Sequence, residues 1–166
     1  FTYLEKNIAE AKYFIVTVPT PIDEVNKPDF KFLRTACSTI AKYLKKKDIV
    51  IFESTVYPGA TKEICIPILE KVSELKLNKD FGVGYSPERI NPGDKTRSIS
   101  DIIKITSGSD LKTSERVDSL YKKIISAGTH KARTIEIAEA AKVIENTQRD
   151  INIALMNELS KIFQEL

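Results

Sequence analysis

The sequence predicts an α/β fold in which short strands of a parallel sheet alternate with helices and the chain finishes on one long helix. Three observations carry this. β-Branched and apolar runs recur between stretches of helical periodicity. The runs YFIVTV and IVIF are apolar almost throughout, which suits parallel strands covered on both faces better than strands with one wet face. From Glu136 to Leu166 there is neither glycine nor proline, so a single helix of roughly 45 Å is possible at 1.5 Å per residue. A chain of 166 residues, 42% hydrophobic and 30% charged, can bury a core of its own, which excludes a disordered polymer.

Residues 13–18 (YFIVTV) form the first strand, ended by Pro19, which has no N–H to continue a ladder. Leu33, Cys37, Ile40, Ala41 and Leu44 then recur at helical spacing, with Asp29 placed to cap that helix. Residues 49–52 (IVIF) are the second strand. Residues 61–75 form a helix through Ile64, Cys65, Ile68, Leu69 and Val72, and Pro67 inside it predicts a kink or a late start. Residues 81–85 and 102–106 are the third and fourth strands, residues 110–125 a helix, and residues 131–135 a short fifth strand. On the final helix Ile151, Ala154, Leu155, Leu159, Ile162 and Phe163 make an apolar stripe that a small sheet is too short to cover. A second copy or a further domain is expected against it. The opening at Phe1 in mid-pattern gives the same expectation of a larger whole.

In open parallel α/β sheets, ligands sit outside the carboxyl ends of the strands. Three such ends are chemically loaded: Val18-Pro19-Thr20-Pro21, Glu53-Ser54-Thr55 with the following Val56-Tyr57-Pro58-Gly59, and Tyr85-Ser86-Pro87-Glu88-Arg89. Hydroxyls and a carboxylate at one edge suit a sugar or ribose, which needs donors and acceptors at fixed angles. Each motif alone reads equally as a strand stop, a helix cap or a solvated pair, but their recurrence at successive strand ends favours a site. On the long helix, Glu139, Lys142, Asn146 and Arg149 are spaced by three, four and three residues and so share a face. Small and apolar neighbours shelter that row, where a lysine beside an asparagine can hold an oxyanion. The competing reading of Glu139 and Lys142 is a surface pair worth a few tenths of a kcal/mol.

Several classes are excluded or set aside. There are 26 Lys and Arg against 23 Asp and Glu, and the longest basic block is Lys45-Lys46-Lys47, so no nucleic-acid partner is expected. No apolar run approaches the ~20 residues of a membrane span. Cys37 and Cys65 lack a CxxC or histidine context, so neither a disulfide scaffold nor a metal site is suggested, and a reducing, cytoplasmic setting is expected. Gly82-Val83-Gly84 begins like a dinucleotide fingerprint but runs into Pro87, and reads instead as a strand with close backbone contacts. His130, the only histidine, has no carboxylate motif beside it and is given no role.

VPTP, STVYPG, YSPERINPGD and AEAAKVIENTQRDINIALMNE, in this order, resemble the UDP-glucose/GDP-mannose dehydrogenase family over essentially the whole chain. Arg-Ile-Asn-Pro-Gly after Glu88 is most similar to the branch acting on UDP-N-acetylhexosamines, the 6-dehydrogenases of UDP-GlcNAc or UDP-GalNAc used in surface polysaccharide synthesis.

The resemblance implies that residues 1–135 are the second half of a Rossmann-like NAD-binding domain and residues 136–166 the start of a central helical dimerisation domain. It implies a C6 alcohol oxidised to a carboxylate in two NAD-dependent steps, and a homodimer formed through the long helix. Val18, Pro19, Thr20, Ser54 and Thr55 are then cofactor contacts, with Thr55 also near the reacting centre. Glu88 corresponds to a general base, Lys142 and Asn146 to the groups that stabilise an oxyanion, and Arg89, Ile90, Asn91 and Arg149 to substrate contacts. The family's glycine-rich first βα turn and its nucleophilic cysteine are not among these residues, and Cys37 and Cys65 match neither motif. The 166 residues alone are therefore expected to be catalytically silent. A non-enzymatic α/β module for self-association or nucleotide-sugar binding is the alternative.

Overall fold

A computed structural model describes residues 2–90 and 98–166. Its five strands are β1 (Tyr13–Val16), β2 (Ile49–Phe52), β3 (Gly82–Tyr85), β4 (Lys104–Gly108) and β5 (Thr129–Lys131), adjacent in chain order within one sheet. The α/β class is as the sequence predicts, and β1–β2, β2–β3 and β4–β5 pair in parallel. The β3–β4 pair corrects the expectation of a parallel sheet, because it is antiparallel, with Gly84 opposite Gly108 and Tyr85 opposite Ser107. A parallel return needs a crossover to the opposite sheet edge. Between these strands the described residues contain only a single 3-10 turn at Ile99–Asp101, so β4 starts at the edge where β3 stops.

The helices are α1 (Lys31–Ala41), α2 (Ile66–Ser73), α3 (Leu111–Tyr121) and α4 (Ile135–Glu165). Asp29, the expected cap, accepts from the Lys31 amide at 2.8 Å, although the chain enters α1 through Phe30. Of the two outcomes expected at Pro67, the structure has the late start of the α-helix. A π-helical turn at Thr61–Cys65 comes first and α2 begins at Ile66, so proline falls in the first turn, where its missing N–H leaves no bond unmade. The fourth strand lies two residues later than the apolar run suggests, because Ile103 faces solvent while Ser107 bonds β3. The fifth strand stops at Lys131 and excludes Ile135, since the Thr134 hydroxyl accepts the Ile137 amide and starts α4 there.

Helices cover both faces of the sheet. On one face α1, α2 and the first turns of α4 bury Phe52, Val83 and Tyr85 with Leu33, Leu69 and Ala138. On the other, α3 packs Val117 and Tyr121 against Ile49 and Ile51. Every β2 residue is buried, as its apolar run requires. The glycines of β3 let α3 approach: a Cβ on Gly84 would lie 2.8 Å from a Val117 methyl and 2.9 Å from the Ser107 carbonyl oxygen. α4 buries Ile135, Ala138 and Glu139 and then leaves the sheet, so that Ile151, Leu155, Ile162 and Phe163 are exposed. Among the described residues no helix is long and apolar enough to cross a membrane.

Candidate active site

The carboxyl ends of β1, β2 and β3 share one edge because these strands are parallel neighbours. Side chains tie them together. The Ser54 hydroxyl donates to the Val18 carbonyl at 2.7 Å, and the Tyr85 hydroxyl donates to the Ser54 carbonyl at 3.0 Å. Ser86 donates from its amide to Phe52 and from its hydroxyl to Ile105. The Tyr85 phenol is pushed well above its ordinary range, first by burial and then by the negative charges of Glu139 and Glu53, so it stays a neutral donor.

Around this knot, Pro19 and Thr55 are exposed and Val18 packs against the core. Thr20 carries a buried hydroxyl with no hydrogen-bond partner among the described residues. The Glu88 carboxylate accepts the Ile90 amide, folding the loop after β3 on itself. Arg89 donates through Nε to Glu145 on α4 and through Nη1 to the Ile103 carbonyl at 3.2 Å, and Arg149 reaches the other Glu145 oxygen at 3.0 Å. Asn91 lies outside the described residues.

Glu139 is fully buried and accepts from the Gly59 amide at 2.6 Å and the Thr61 amide at 2.9 Å. This corrects its reading as a surface partner of Lys142: the carboxylate fastens α4 to the chain after β2. Gly59 has φ +101°, the left-handed backbone that aims its N–H at Glu139 and that glycine adopts without strain. Glu139 and Glu145 bracket the half-buried Lys142 on the helix, three residues to either side. At 3.6 residues per turn, Glu139, Lys142, Glu145, Asn146 and Arg149 fall within an arc of about 120°. One stretch of α4 is therefore pinned to the chain after β2 at one point and to the loop after β3 at another, with Lys142 between them.

Sequence reasoning passed over a charged group beneath the loop. Lys104, the first residue of β4, is 8% exposed; its ammonium lies 3.1 Å from Glu53, 3.3 Å from the Pro87 carbonyl and 5.2 Å from the centre of the Tyr121 ring. Tyr121 also donates its hydroxyl to Glu53, and burial and that carboxylate push its phenol well above the ordinary range. A lysine in the middle of the apolar run IIKIT was the available signal. Glu145 was legible as an i, i+4 partner of Arg149, but not as a partner of Arg89.

A concavity of about 660 Å³ opens at the opposite sheet edge and is lined by Lys62, Lys131, Arg133 and the starts of α3 and α4. It contains none of the residues above.

Residues 1–125 match the sequence model of the UDP-glucose/GDP-mannose dehydrogenase family's NAD binding domain, and residues 136–166 that of its central domain. The whole chain is 61% identical to UDP-N-acetyl-D-glucosamine 6-dehydrogenase of Pseudomonas aeruginosa and 55% identical to the enzyme of that name from Salmonella typhi. It spans 39% of the length of each. A solved structure of UDP-D-ManNAc dehydrogenase from Pyrococcus horikoshii superposes with a TM-score of 0.85 at 32% identity, over 95% of this chain and 37% of that one. With a buried polar knot at its strand ends, a helix fastened over them and sequence models matched on both sides of that junction, the chain belongs to the UDP-glucose/GDP-mannose dehydrogenase family.

Proposed function

We propose that residues 1–135 and 136–166 are the NAD-binding portion and the start of the central dimerisation helix of a nucleotide-sugar 6-dehydrogenase. Its reaction is oxidation of the C6 alcohol of UDP-N-acetyl-D-glucosamine to the carboxylate, in the cytoplasm, as a homodimer joined through α4. The substrate is carried over from the relatives at 61% and 55% identity, both UDP-N-acetyl-D-glucosamine 6-dehydrogenases. The observation that carries the site is the double fastening of α4, by Glu139 to Gly59 and Thr61 in the chain after β2 and by Glu145 to Arg89 of the Glu88 loop, on either side of Lys142.

The strand ends suit the cofactor. The buried, unpartnered Thr20 hydroxyl is an acceptor and donor waiting for a polar ligand, and the exposed Pro19 and Thr55 leave that edge open. Val18, Pro19, Thr20, Ser54 and Thr55 hold NAD in this reading, with Ser54 acting through the Val18 carbonyl it bonds. NAD supplies the hydride acceptor.

Glu88 accepts the proton of the C6 hydroxyl, directly or through one water, after releasing the Ile90 amide. Lys142 and Asn146 donate to that oxygen as its negative charge develops. Arg89, Ile90, Asn91 and Arg149 border the sugar nucleotide. By the family resemblance, the step from aldehyde to carboxylate runs through a thiolate nucleophile. Cys37 and Cys65 are fully buried, and a hydrogen bond with Cys37, then burial, pushes the Cys65 thiol far up. Neither serves, so these 166 residues by themselves are expected not to carry out that second oxidation.

The test is NADH formation from UDP-N-acetyl-D-glucosamine by the natural full-length polypeptide. Lys142→Met is expected to lower kcat by about 10²–10³-fold, the usual loss for an oxyanion donor, with little change in KM. A variant as fast as its parent would refute the assignment.

A further inference from the structure

We propose that Lys104 is a positioning residue for the Glu88 loop: its ammonium, neutralised by Glu53 and roofed by the Tyr121 ring, holds the Pro87 carbonyl and so sets the peptide that presents Glu88. The inference rests on the reading of Glu88 as the proton acceptor and deepens it.

Position 104 is one that an apolar residue would fill. β4 turns its alternate residues Lys104 and Thr106 inward, and the lysine side chain is 9% exposed. Burying an ammonium is unfavourable unless it is paired and its donors are satisfied, and replacing such a pair with apolar residues is often neutral or stabilising. The charge is thus poorly explained by packing alone. What distinguishes lysine here is its set of donors on a long stem. One meets Glu53 at 3.1 Å and another the Pro87 carbonyl at 3.3 Å, while Tyr121 donates to the same Glu53 oxygen from the end of α3. Glu53 after β2 and Tyr121 of α3 thereby fix the β4 ammonium, which alone holds the carbonyl of the loop.

That carbonyl is a well-chosen point. Proline's ring fixes its own φ, and Ser86 before it is already held by the Phe52 and Ile105 carbonyls. Once the Pro87 oxygen is also held, the plane of the Pro87–Glu88 peptide is set, and with it the Glu88 Cα. On the far side, Arg89 is held by Glu145 and by the Ile103 carbonyl. Glu88 is left as the residue that can reorient between two anchored neighbours, its carboxylate resting on the Ile90 amide.

The test uses the natural full-length polypeptide with Lys104→Met, and with the pair Lys104→Met and Glu53→Gln, which removes both buried charges and keeps an acceptor for Tyr121. The charge-neutral pair guards against simple unfolding. Amide hydrogen exchange without ligands is expected to quicken at residues 88–90 while β2 and α3 keep their protection. The kcat is expected to fall by about 10- to 100-fold, the scale of a sub-ångström to ångström misplacement of a reacting group, with KM for the sugar nucleotide nearly constant. Glu88→Gln is expected to fall by about 10²–10⁴-fold, and in that background the Lys104 and Glu53 changes are expected to cost nothing more, because no base is left to position. Full activity in Glu88→Gln would defeat the reading of Glu88, and this inference with it. A slow Glu88→Gln beside a charge-neutral pair with parental kcat and parental loop protection would overturn the role of Lys104 alone.

Discussion

Glu139 and Gly59 stand eighty residues apart in the chain and 2.6 Å apart in the fold, joined by a hydrogen bond from the Gly59 amide to a carboxylate with no solvent exposure. The second carboxylate oxygen takes the Thr61 amide. The pair is what turns α4 from a helix that merely follows β5 into a wall of the candidate site.

Glu139→Ala leaves two amide donors without their acceptor. Charge-assisted bonds of this kind contribute about 1.5–3 kcal/mol each, and stranded donors add to the loss, so destabilisation of about 3 kcal/mol is expected in urea unfolding. Glu139→Gln keeps one acceptor and should fall between the variant and the parent. An alanine variant within about 0.5 kcal/mol of the parent would show that α4 does not depend on this contact.

Acid should weaken the α3 side of the sheet through Asp118. Burial alone would raise the carboxyl, but bonds from Lys122 at 2.8 Å, Thr129 at 2.6 Å and Thr106 at 3.0 Å outweigh it and hold it below the usual aspartate value. A folded pKa lower than the unfolded one makes a stabilising contribution that is complete above about pH 4, the unfolded value, and is lost as pH falls through the folded pKa. Asp118→Asn should flatten the stability profile in that window. An unchanged acid limb would assign the effect to other carboxylates.

The two thiols should be inert in the native protein. Both are fully buried, and Cys65 is driven away from the thiolate by its bond with Cys37 and by burial. Alkylation with a maleimide followed by mass spectrometry is expected to label neither at neutral pH and both in urea. Rapid native labelling of either would reopen the search for a nucleophile within this chain.

Of the apolar stripe on α4, Ile151, Leu155, Ile162 and Phe163 are at least half exposed and Leu159 is half-buried, and the proposed homodimer covers the stripe with a second copy. Leu155→Glu places a charge in the middle of that seam. Sedimentation velocity of the natural full-length polypeptide should find a dimer that the variant converts to monomer. A monomeric parent, or a dimer indifferent to the change, would argue against this seam.

Much of the scaffold is legible in the sequence, because the signals are local. IVIF marks β2 at its observed bounds, the Gly82-Val83-Gly84 run does place backbone against α3, and Asp110 heads its helix with a side-chain bond to Thr113. The three strand ends and the α4 row are legible for the same reason. A proline after a strand or a polar residue every third or fourth position can be read within a few residues.

Strand direction and charge pairing are different in kind. Nothing near β4 says that it runs against β3, since that depends on which sheet edge the intervening loop returns to. Nothing near Glu53 says that Lys104 and Tyr121 will meet it, or near Arg89 that Glu145 waits on α4. Local sequence settles periodicity, caps and stops, because those energies are set within one turn or one strand. Which buried charge finds which partner is settled only when distant elements close on one another, because an ion removed from water is tolerated solely where the completed fold brings its counter-charge and donors within hydrogen-bond reach.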